Sequence, residues 1–531
     1  MCFDARMTRR RSPTARVAAA YRRIAEVDRP EVWITLRQEA DALADAAEVE
    51  RRIAAGENLP LAGLVIAVKD NIDVAGLPTT AGCPEFAYRP TVTAAAVDRL
   101  RSAGAVILGK TNLDQFGTGL VGTRSPYGAV RNSRDPRLVA GGSSSGSAVA
   151  VALGIADVGV GTDTAGSVRV PAALNGIVGI KPTLGIVPTH GVVPACASFD
   201  AVSVLAADLG TASAAAAAMA GPDSRDPRSR AWPADVRLAA PSAPRVAIPQ
   251  SANLAALSDA YRRAFETSVA RAAEAGLTVE PLDISVLLDA ALLLYDGAFV
   301  AERYAAVGKF LATRPAGADP VVASIISGGC AVTGPAFAAD LDALARARAE
   351  AGRLLDGFDA LLLPSTTEHP TLDEVRADPY SINRRMGTYT NFGNLLDMAA
   401  VAVPGAPTAT GAPFGVTVVV PAFADQVAVD IAARLSGTTP ALLTQTGCDV
   451  VLFGAQATTR QLLEGLGARY AGRVGATAAG APRGDLFRVS EAGLGRLVAS
   501  LPAPATVGRF ALDDARSAIG LTAAPSHPQL G

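Results

Sequence analysis

Apolar runs and helical patterns alternate along the first two hundred residues of the chain. PLAGLVIAVKD, from position 60, and SAGAVILGKT, from position 102, are rich in β-branched residues and predict buried strands. Between them, TAAAVDRLRSAG has helical spacing, and the Ala-, Arg- and Glu-rich residues 1–57 also predict helices. Because strands that alternate with helices are typical of a sheet covered by helices, we expect an α/β fold.

The pattern changes near the C-terminal end. FDALLLPST and FGVTVVVPA predict further strands, whereas the Pro-, Asp- and Arg-rich segment 221–243 indicates a surface excursion or linker within the main unit. A break at 436–446 precedes short pieces of mixed strand and helix character. We therefore expect two domains, a large one over residues 1–440 and a small α/β domain over 446–531.

Composition and charge exclude several classes of protein. Half of the 531 residues are hydrophobic and 18% are charged, which favours a folded core over disorder. The net charge of −2 lacks the basic excess of nucleic-acid binders. No apolar run reaches the length of a membrane span, and no apolar stretch follows the basic N-terminus as it would in a secretory signal. We expect a cytoplasmic protein that binds neither nucleic acid nor membrane.

Cysteine, histidine and lysine are scarce, and this scarcity bears on the possible chemistry. The five cysteines are odd in number and contain no CxxC pair, so neither a disulfide framework nor a Cys-rich zinc site is indicated, and we expect no metal. There are only three histidines. Only four of the 48 basic residues are lysines, so each lysine is a candidate for a role that requires loss of a proton, which arginine cannot perform.

Two short motifs permit chemistry of other kinds. GAVILGKT, Gly104 to Thr111, fits the P-loop pattern, but the residues between its glycines are apolar and belong to a predicted strand, which favours a structural role. GSSSG, Gly142 to Gly146, fits the GxSxG elbow, in which Ser144 would be a nucleophile served by a later Asp and His. With three histidines in the chain, this second interpretation stays open.

A longer Gly- and Ser-rich stretch, 141–183, gives a stronger signal. A helix over 145–153 would rise roughly 14 Å and a strand over 156–160 would return roughly 16 Å, so the two lengths nearly cancel. Ser143 and Ser167 are therefore expected at the same end of this unit. The small residues of Thr164-Ala165-Gly166-Ser167 would let backbone amides converge on one point, as in an oxyanion hole.

A serine nucleophile needs a base, and no histidine is close to these serines in the sequence. Lys69, at the end of a predicted strand, could serve if its amine were neutral. Lowering its pKa from about 10.4 to about 7 costs roughly 4.6 kcal/mol, part of which burial could supply. The alternative is an ordinary ion pair with Asp70 or Asp73, and spacing alone does not decide between the two.

Together these segments resemble the amidase signature family. AVKDNID, LGKTN, GGSSSGSA and GTDTAGSVRVPAALNGIVGIKPT stand in the order and spacing of that family. The resemblance implies an α/β/α sandwich around a large mixed sheet, an enzyme that hydrolyses linear amide C–N bonds, and no cofactor. It implies that Ser167 is the nucleophile, that Ser143 is a bridging serine after a cis peptide bond with Gly142, and that Lys69 is the base. Beside them, Asp163 and Arg169 are expected to form a buried ion pair that fixes the loop.

Within the family, the segments between 71 and 404 are most similar to the allophanate hydrolase branch, as in NIDVAGLPTTAGCPEFAYRP and RRMGTYTNFGNLLDMAAVAVPGAP. This resemblance implies the substrate allophanate, whose carboxylate neighbours the reacting amide. It assigns the binding of that carboxylate to Arg303, with Tyr295 two helical turns before it on the same face, and includes Gly122 in the substrate site. The alternative for Arg303 is an ion pair with Glu302 or with an acid at the surface.

The C-terminal piece resembles the additional domain of the same branch, with one departure. The branch usually has Gly-Ala-His where this chain has Gly454-Ala455-Gln456, so a role in dimerisation or as a scaffold is expected instead of decarboxylation. Val168 also stands where the branch often has Gly, which bears on the shape of the pocket. The resemblance implies a homodimer with a functional link to a biotin-dependent urea carboxylase. A general amidase, an amidotransferase A-type subunit and a catalytically silent scaffold are the alternatives.

Overall fold

The chain folds into two compact units. The computed structural model describes residues 12–444, 446–453, 457–475, 483–501, 506–512 and 516–522. Of these, the first unit contains the residues up to Ala231 and those from Arg245 to Leu443, and the second contains Trp232–Pro244 and those from Thr444 onward. The boundary at 443 lies inside the predicted break.

The Pro-rich segment is where the predicted division is wrong. Its second half, Trp232–Pro244, belongs to the small unit and not to the large one. The backbone amide of Leu238 donates to the carbonyl of Gly467 at 2.8 Å, and the Arg469 guanidinium donates to the Leu238 carbonyl at 3.0 Å. These contacts join residues more than two hundred positions apart, so local composition did not reveal them.

An eleven-stranded mixed sheet forms the centre of the large unit. Its order is β1-β3-β2-β4-β6-β5-β10-β11-β9-β7-β8. The pairs of β2 with β3 and β4, and of β7 with β8 and β9, are parallel, and the remaining pairs are antiparallel. Most of its strands are buried on both faces, which explains their nearly continuous apolar sequences. The strands are β1 (Trp33–Leu36), β2 (Val65–Lys69), β3 (Val106–Thr111), β4 (Val158–Asp163), β5 (Val178–Lys181), β6 (Ala201–Ala206), β7 (Arg245–Pro249), β8 (Thr278–Leu282), β9 (Ala360–Pro364), β10 (Ala399–Pro404) and β11 (Gly415–Val420).

Helices cover the sheet in two groups. Helices α4 and α5 contact each other and the central strands, while α6 and α15 contact each other and the same strands, which gives the expected α/β/α sandwich. The helices of the large unit are α1 (Pro13–Val27), α2 (Glu39–Ala54), α3 (Ala95–Ser102), α4 (Ser145–Ala152), α5 (Arg169–Asn175), α6 (Leu209–Met219), α7 (Asp259–Glu274), α8 (Ser285–Leu292), α9 (Val300–Leu311), α10 (Pro320–Gly328), α11 (Gly334–Leu354), α12 (Leu372–Ala377), α13 (Ser381–Met386), α14 (Asn391–Leu395) and α15 (Asp425–Ser436).

The small unit has its own sheet and core. Five strands in the order β13-β14-β12-β16-β15 form a mixed sheet, in which only β12 and β16 pair in parallel. Apolar residues of the strands and of both helices pack together. The unit is thus the small α/β domain that the sequence predicts. Its elements are β12 (Cys448–Phe453), α16 (Ala457–Gly465), β13 (Arg469–Gly475), β14 (Arg483–Val489), α17 (Glu491–Ser500), β15 (Thr506–Ala511) and β16 (Ser517–Thr522).

The N-terminal region departs from the prediction in one element. Residues 1–57 were expected to be helical throughout, but strand β1 lies between α1 and α2 and pairs antiparallel with β3. Four residues are too few for a periodic signal to stand out between two helices. Among the described residues, no single helix is long and apolar enough to cross a membrane, although the bent pair Pro320–Ala331 and Gly334–Leu354 passes that test jointly.

Candidate active site

Lys69 lies at the end of β2, fully buried, beside the predicted serine pair. Its Nζ donates to the Ser143 Oγ at 2.7 Å, to the Thr162 Oγ1 at 2.8 Å and to the Thr162 carbonyl at 3.2 Å. Strand β4, which carries Thr162, is the parallel neighbour of β2, so the sheet itself holds these groups together. The amine therefore has two hydroxyl groups and a carbonyl as its partners.

Burial changes the proton affinity of this amine. Removal from water lowers the pKa of Lys69 to about 7, although the negative charges of Asp114, Asp200 and Asp163 oppose the shift. None of these carboxylates forms an ion pair with the amine. A lysine in this state is neutral in a large part of the molecules at neutral pH and can accept a proton from a hydroxyl group.

The alternative ion pair of Lys69 with a neighbouring acid is wrong. Asp70 pairs with Lys110 at 3.2 Å, and both side chains are fully buried. Asp73 accepts hydrogen bonds from Thr79 and Tyr88. Lys110 is also the lysine of the P-loop pattern, and it lies within β3, so that motif is part of a strand and not a phosphate loop.

Ser143 precedes α4, and its neighbour Ser144 is not placed as a nucleophile. The peptide bond between Gly142 and Ser143 is cis, as the family resemblance implies. Ser144 is fully buried, and its Oγ donates to the Thr162 carbonyl at 3.2 Å. The elbow interpretation needs a later histidine as a base, and His369 contacts the Val139 carbonyl through Nε2 at 3.0 Å.

Ser167 lies in the loop between β4 and α5, next to the serine pair. Its backbone carbonyl accepts a hydrogen bond from the Ser144 amide at 3.1 Å, which confirms that the two serine segments meet at the same end of the unit. Within residues 12–444, the Ser167 hydroxyl makes no hydrogen bond, including with Ser143. Ser167 and Ser143, the predicted nucleophile and bridging serine, are thus neighbours without a hydrogen bond between their side chains, and such contacts often tighten only with substrate bound.

An ion pair below this loop fixes its shape, as expected. The Arg169 guanidinium donates to both carboxylate oxygens of Asp163, at 2.8 and 3.1 Å, and neither side chain is exposed. Burial would raise the pKa of Asp163, but the charge and hydrogen bonds of Arg169 outweigh it and lower this pKa to about 2. The Asn394 carboxamide oxygen and the Thr390 carbonyl accept the remaining guanidinium bonds.

Three of the four predicted oxyanion donors are free. In the described part of the large unit, the amides of Thr164, Ala165 and Ser167 have no acceptor, whereas the Gly166 amide donates to the Asp163 carboxylate at 2.9 Å. Gly166 has a φ of +120°, and a Cβ there would collide with the Thr390 side chain. Gly166 therefore shapes the loop, while the amides of its neighbours stay available to an acceptor.

Val168, which stands where a glycine was expected from the resemblance, packs against the sheet. Its two methyl groups lie against Gly161 of β4 and Gly179 of β5, where neither residue has a Cβ. The valine is fully buried. The extra volume is therefore accommodated by the sheet.

Among the residues that the structure describes, Arg303 is a buried cation without an acidic partner. It is 1% exposed, and its guanidinium donates to the Thr118 Oγ1 at 3.0 Å and to the Tyr295 hydroxyl at 3.1 Å. Its Nε has no hydrogen-bond partner in the described part of the chain, and the guanidinium also stacks over the Tyr295 ring at 4.8 Å. Because a buried charge without a counterion is costly, this group is suited to bind an anion.

Two expectations about this pair need correction. Glu302, the alternative partner of Arg303, turns away and accepts a hydrogen bond from the Ser198 amide at 2.9 Å. Tyr295 was placed with Arg303 on one helix face, but it lies in the turn between α8 and α9, before the helix of Arg303 begins. The turn, and not helical periodicity, brings the phenol to the guanidinium.

Gly122 lies beside the cis peptide and has its backbone groups in use. Its amide donates to Asp114 at 3.0 Å and its carbonyl accepts from the Val130 amide. With a φ of +77°, it approaches Gly141 so closely that a Cβ would meet the Gly141 carbonyl at 2.7 Å. Its contact with a substrate stays a prediction.

Sequence reasoning missed Thr162, Thr118 and Asp114. Thr162 gives Lys69 two of its three bonds, and the fully buried Asp114 accepts the amides of Gly122 and Arg124. Asp114 also lies where any Cβ on Gly142 would be. Thr162 could have been found only from the pairing of its strand, β4, with β2, and the sequence pattern does not show that pairing. Among the described residues, no group of three or more His, Cys, Asp or Glu side chains is placed to hold a metal.

Comparison with known proteins agrees with this geometry. Residues 15–429 match the model of the family described as Amidase. The chain belongs to the amidase family. A structure of Kluyveromyces lactis allophanate hydrolase, 32% identical, superposes on this amidase with a TM-score of 0.88 and covers 99% of this chain and 95% of its own.

Two further relatives show how far each similarity extends. A structure described as an amidase is 30% identical with a TM-score of 0.71, and covers 81% of this chain and 97% of its own. The urea amidolyase of Saccharomyces cerevisiae is 43% identical over 385 residues, which are 71% of this chain and 21% of the relative. This amidase thus spans about a fifth of the length of the urea amidolyase that it matches.

Proposed function

We propose that this amidase is an allophanate hydrolase, which cleaves the terminal amide of allophanate (urea-1-carboxylate). The observation that carries the proposal is the buried, acid-free Arg303 guanidinium in the same unit as the Lys69–Ser143 pair. A plain amide needs the serines and the lysine but no cation, whereas allophanate has a carboxylate beside its reacting carbonyl. The similarity to K. lactis allophanate hydrolase over both units supports the same assignment.

The first half of the reaction acylates Ser167. The Ser167 Oγ attacks the carbonyl carbon while its proton passes to the Ser143 Oγ, and the Ser143 proton passes to the neutral amine of Lys69. The amides of Thr164, Ala165 and Ser167 hold the negative oxygen that forms. When the C–N bond breaks, the proton returns by the same path to the nitrogen, and ammonia leaves.

The second half of the reaction releases the product. A water molecule gives a proton to the same relay and attacks the acyl carbon, and the bond to the Ser167 Oγ breaks as that oxygen regains a proton. The product is an N-carboxylated carbamate, which then loses CO2. Arg303 would bind the carboxylate throughout with its planar fork, and the Tyr295 ring would keep that fork in place.

Ammonia release from a panel of amides tests this function. We expect release from allophanate to be far faster than from acetamide, malonamide or urea, and Ser167→Ala to abolish it. An acyl-serine probe should label the wild-type protein and not Ser167→Ala.

Equal rates on all amides would favour a general amidase, and a requirement for a partner chain would favour an amidotransferase subunit. Labelling that Ser167→Ala does not remove would contradict the nucleophile, and absence of any turnover or labelling would favour a silent scaffold.

We further propose a cytoplasmic homodimer with a functional link to a biotin-dependent urea carboxylase. The similarity to the much longer urea amidolyase supports such a link. For the small unit we propose dimerisation or a scaffold role; its Gly454-Ala455-Gln456 segment lies outside the described residues. Light scattering at several concentrations measures the oligomeric state, and a monomer would contradict the dimer.

A further inference from the structure

Asp200 is a buried carboxylate outside the proposed relay that joins two segments of the site. Its Oδ1 accepts a hydrogen bond from the Thr164 Oγ1 at 2.5 Å. Its two oxygens also accept the backbone amides of Ala195 at 2.9 Å and of Cys196 at 3.1 and 3.2 Å. The loop that contains Ser167 is thereby tied to the turn that follows residue 194.

The same turn is tied to the helix of Arg303. The Ser198 amide donates to the Glu302 Oε2 at 2.9 Å, and the Cys196 thiol lies 3.4 Å from the same oxygen. Glu302 immediately precedes Arg303 in α9. A continuous series of hydrogen bonds therefore runs from Thr164 through Asp200 and the turn to the helix that positions the guanidinium.

The turn also approaches the serine pair. Gly117 is so close to Ala195 that a Cβ on the glycine would meet the alanine methyl at 3.0 Å, and the Ser143 Oγ is 3.9 Å from the same point. The turn of residues 195–200 is therefore bonded to the loop of Thr164 and to Glu302, and it lies near Ser143. Displacing this turn would change the distance between Ser167 and the Arg303 guanidinium.

We propose, building on the proposed function, that Asp200 is a positioning residue that fixes the distance between the Ser167 loop and Arg303. This fixed distance selects substrates by the number of atoms between their amide carbonyl and their carboxylate. In allophanate one atom separates the reacting carbonyl carbon from the carboxylate. Small misplacements of reacting groups have large effects on rate, so a fixed separation favours this spacing over a longer one.

Substrates of two lengths test the proposal. Malonamate has the one-atom spacing of allophanate, and succinamate has one methylene more. Thr164→Val keeps the size of the side chain and the backbone amide but removes the donor to Asp200. We expect this variant to lower the malonamate-to-succinamate ratio of kcat/KM by about tenfold, the effect of one charge-assisted hydrogen bond. Thr164→Ser, which keeps the hydroxyl, should retain the wild-type ratio.

Thr183→Val is the matched control. Thr183 donates to Asp425 at the same 2.5 Å, and both side chains are buried and form no hydrogen bond with the site residues described above. The Thr183 hydroxyl also accepts the Phe423 amide at 2.8 Å, so Thr183→Val should lose at least as much thermal stability as Thr164→Val and keep the wild-type ratio. Should Thr164→Val fail to fold, Thr164→Ala takes its place, because it also keeps the backbone amide and removes the hydroxyl that donates to Asp200; we expect the lowered ratio there also.

Two results would overturn the inference. One is an unchanged ratio in Thr164→Val or Thr164→Ala with both activities reduced equally, which indicates a purely structural role. The other is the same loss of ratio in Thr183→Val, which indicates a general effect of destabilisation. A wild-type enzyme that prefers neither malonamate nor allophanate over acetamide would overturn the proposed function itself, and with it this inference.

Discussion

The surroundings of the Lys69 amine determine its pKa. Burial lowers the pKa of Lys69 to about 7, and among the described residues no acid forms an ion pair with this amine. Burial also lowers the pKa of Lys110, one strand away, but the charge of Asp70 at 3.2 Å opposes that shift directly. The two lysines differ in their counterion and not in their burial, which makes Lys69 the better candidate for a neutral amine.

The substitution Lys69→Arg tests whether residue 69 acts as a base or only as a positive charge. A guanidinium keeps its proton under all conditions in which the protein is folded, so Lys69→Arg should lose kcat/KM nearly as completely as Lys69→Ala. Steady-state ammonia release measures both variants, and circular dichroism checks that each is folded. Substantial activity in the arginine variant would exclude the proton-accepting role.

The pH dependence of turnover follows from the same pKa. Because the amine must be neutral to accept a proton, activity should rise as the pH increases through about 7 and then level off. Asp114→Asn removes a negative charge that opposes the lowered pKa, so its profile should move to lower pH. We would measure kcat/KM from pH 5 to 9; a flat profile in the wild type would contradict the assignment.

The proposed function assigns substrate specificity to Arg303, so its loss should affect only carboxylated substrates. Arg303→Met keeps an unbranched apolar chain but removes the fork, so kcat/KM for allophanate should fall by at least about a hundredfold, since a charge-assisted pair is lost. The rate with acetamide should change little. Glu302→Gln is the neighbouring control, because its carboxamide oxygen can still accept the Ser198 amide. Equal losses on both substrates would contradict a role in anion binding.

At the scale of elements, the loop between β4 and α5 depends on the ion pair beneath it. Arg169 binds both oxygens of Asp163 and also donates to Asn394, so one side chain joins the loop that contains Ser167 to α14. Removing one partner of a buried pair leaves the other charge unpaired. Arg169→Met should therefore reduce the free energy of unfolding by about 3–5 kcal/mol.

An exposed pair provides the comparison for this prediction. Arg376 and Asp373 form an ion pair on the surface of α12, and Arg376→Met should cost less than about 1 kcal/mol. Urea unfolding at pH 7 measures both variants. The folded state holds the pKa of Asp163 low, so this carboxylate stabilises the folded protein fully at pH values above its ordinary pKa of 3.8. That stabilisation is lost as the pH falls towards about 2. Similar losses for Arg169→Met and Arg376→Met would contradict this account.

The sequence predicted the elements of the site well and their contacts less well. Strands β2, β3, β9 and β11 and helix α4 follow from apolar runs and helical spacing, since burial imposes those patterns. The meeting of the two serine segments follows from the lengths of one helix and one strand. Thr162 as a partner of Lys69 could not be predicted, because it requires knowing that β4 pairs with β2.

At the scale of the molecule, the small unit is built from two separate parts of the chain. Trp232–Pro244 leaves the large unit in the middle of its sequence and joins residues from Thr444 onward. A boundary predicted from composition alone, such as 440–446, identifies the C-terminal part of the small unit but not the part formed by Trp232–Pro244. The long-range hydrogen bonds of Leu238 lie beyond the reach of any local pattern.

This organisation predicts the outcome of removing the small unit. A chain that ends at Leu443 would keep Trp232–Pro244 without its sheet, and would expose Leu238, which is fully buried in the whole protein. We expect that truncation to aggregate, whereas a second one that also replaces residues 232–244 by a short Gly/Ser linker should stay monodisperse, because the large unit has its own core and sheet. Light scattering and ammonia release from malonamate compare the two. Equal behaviour of both truncations would show that the segment does not depend on the small unit.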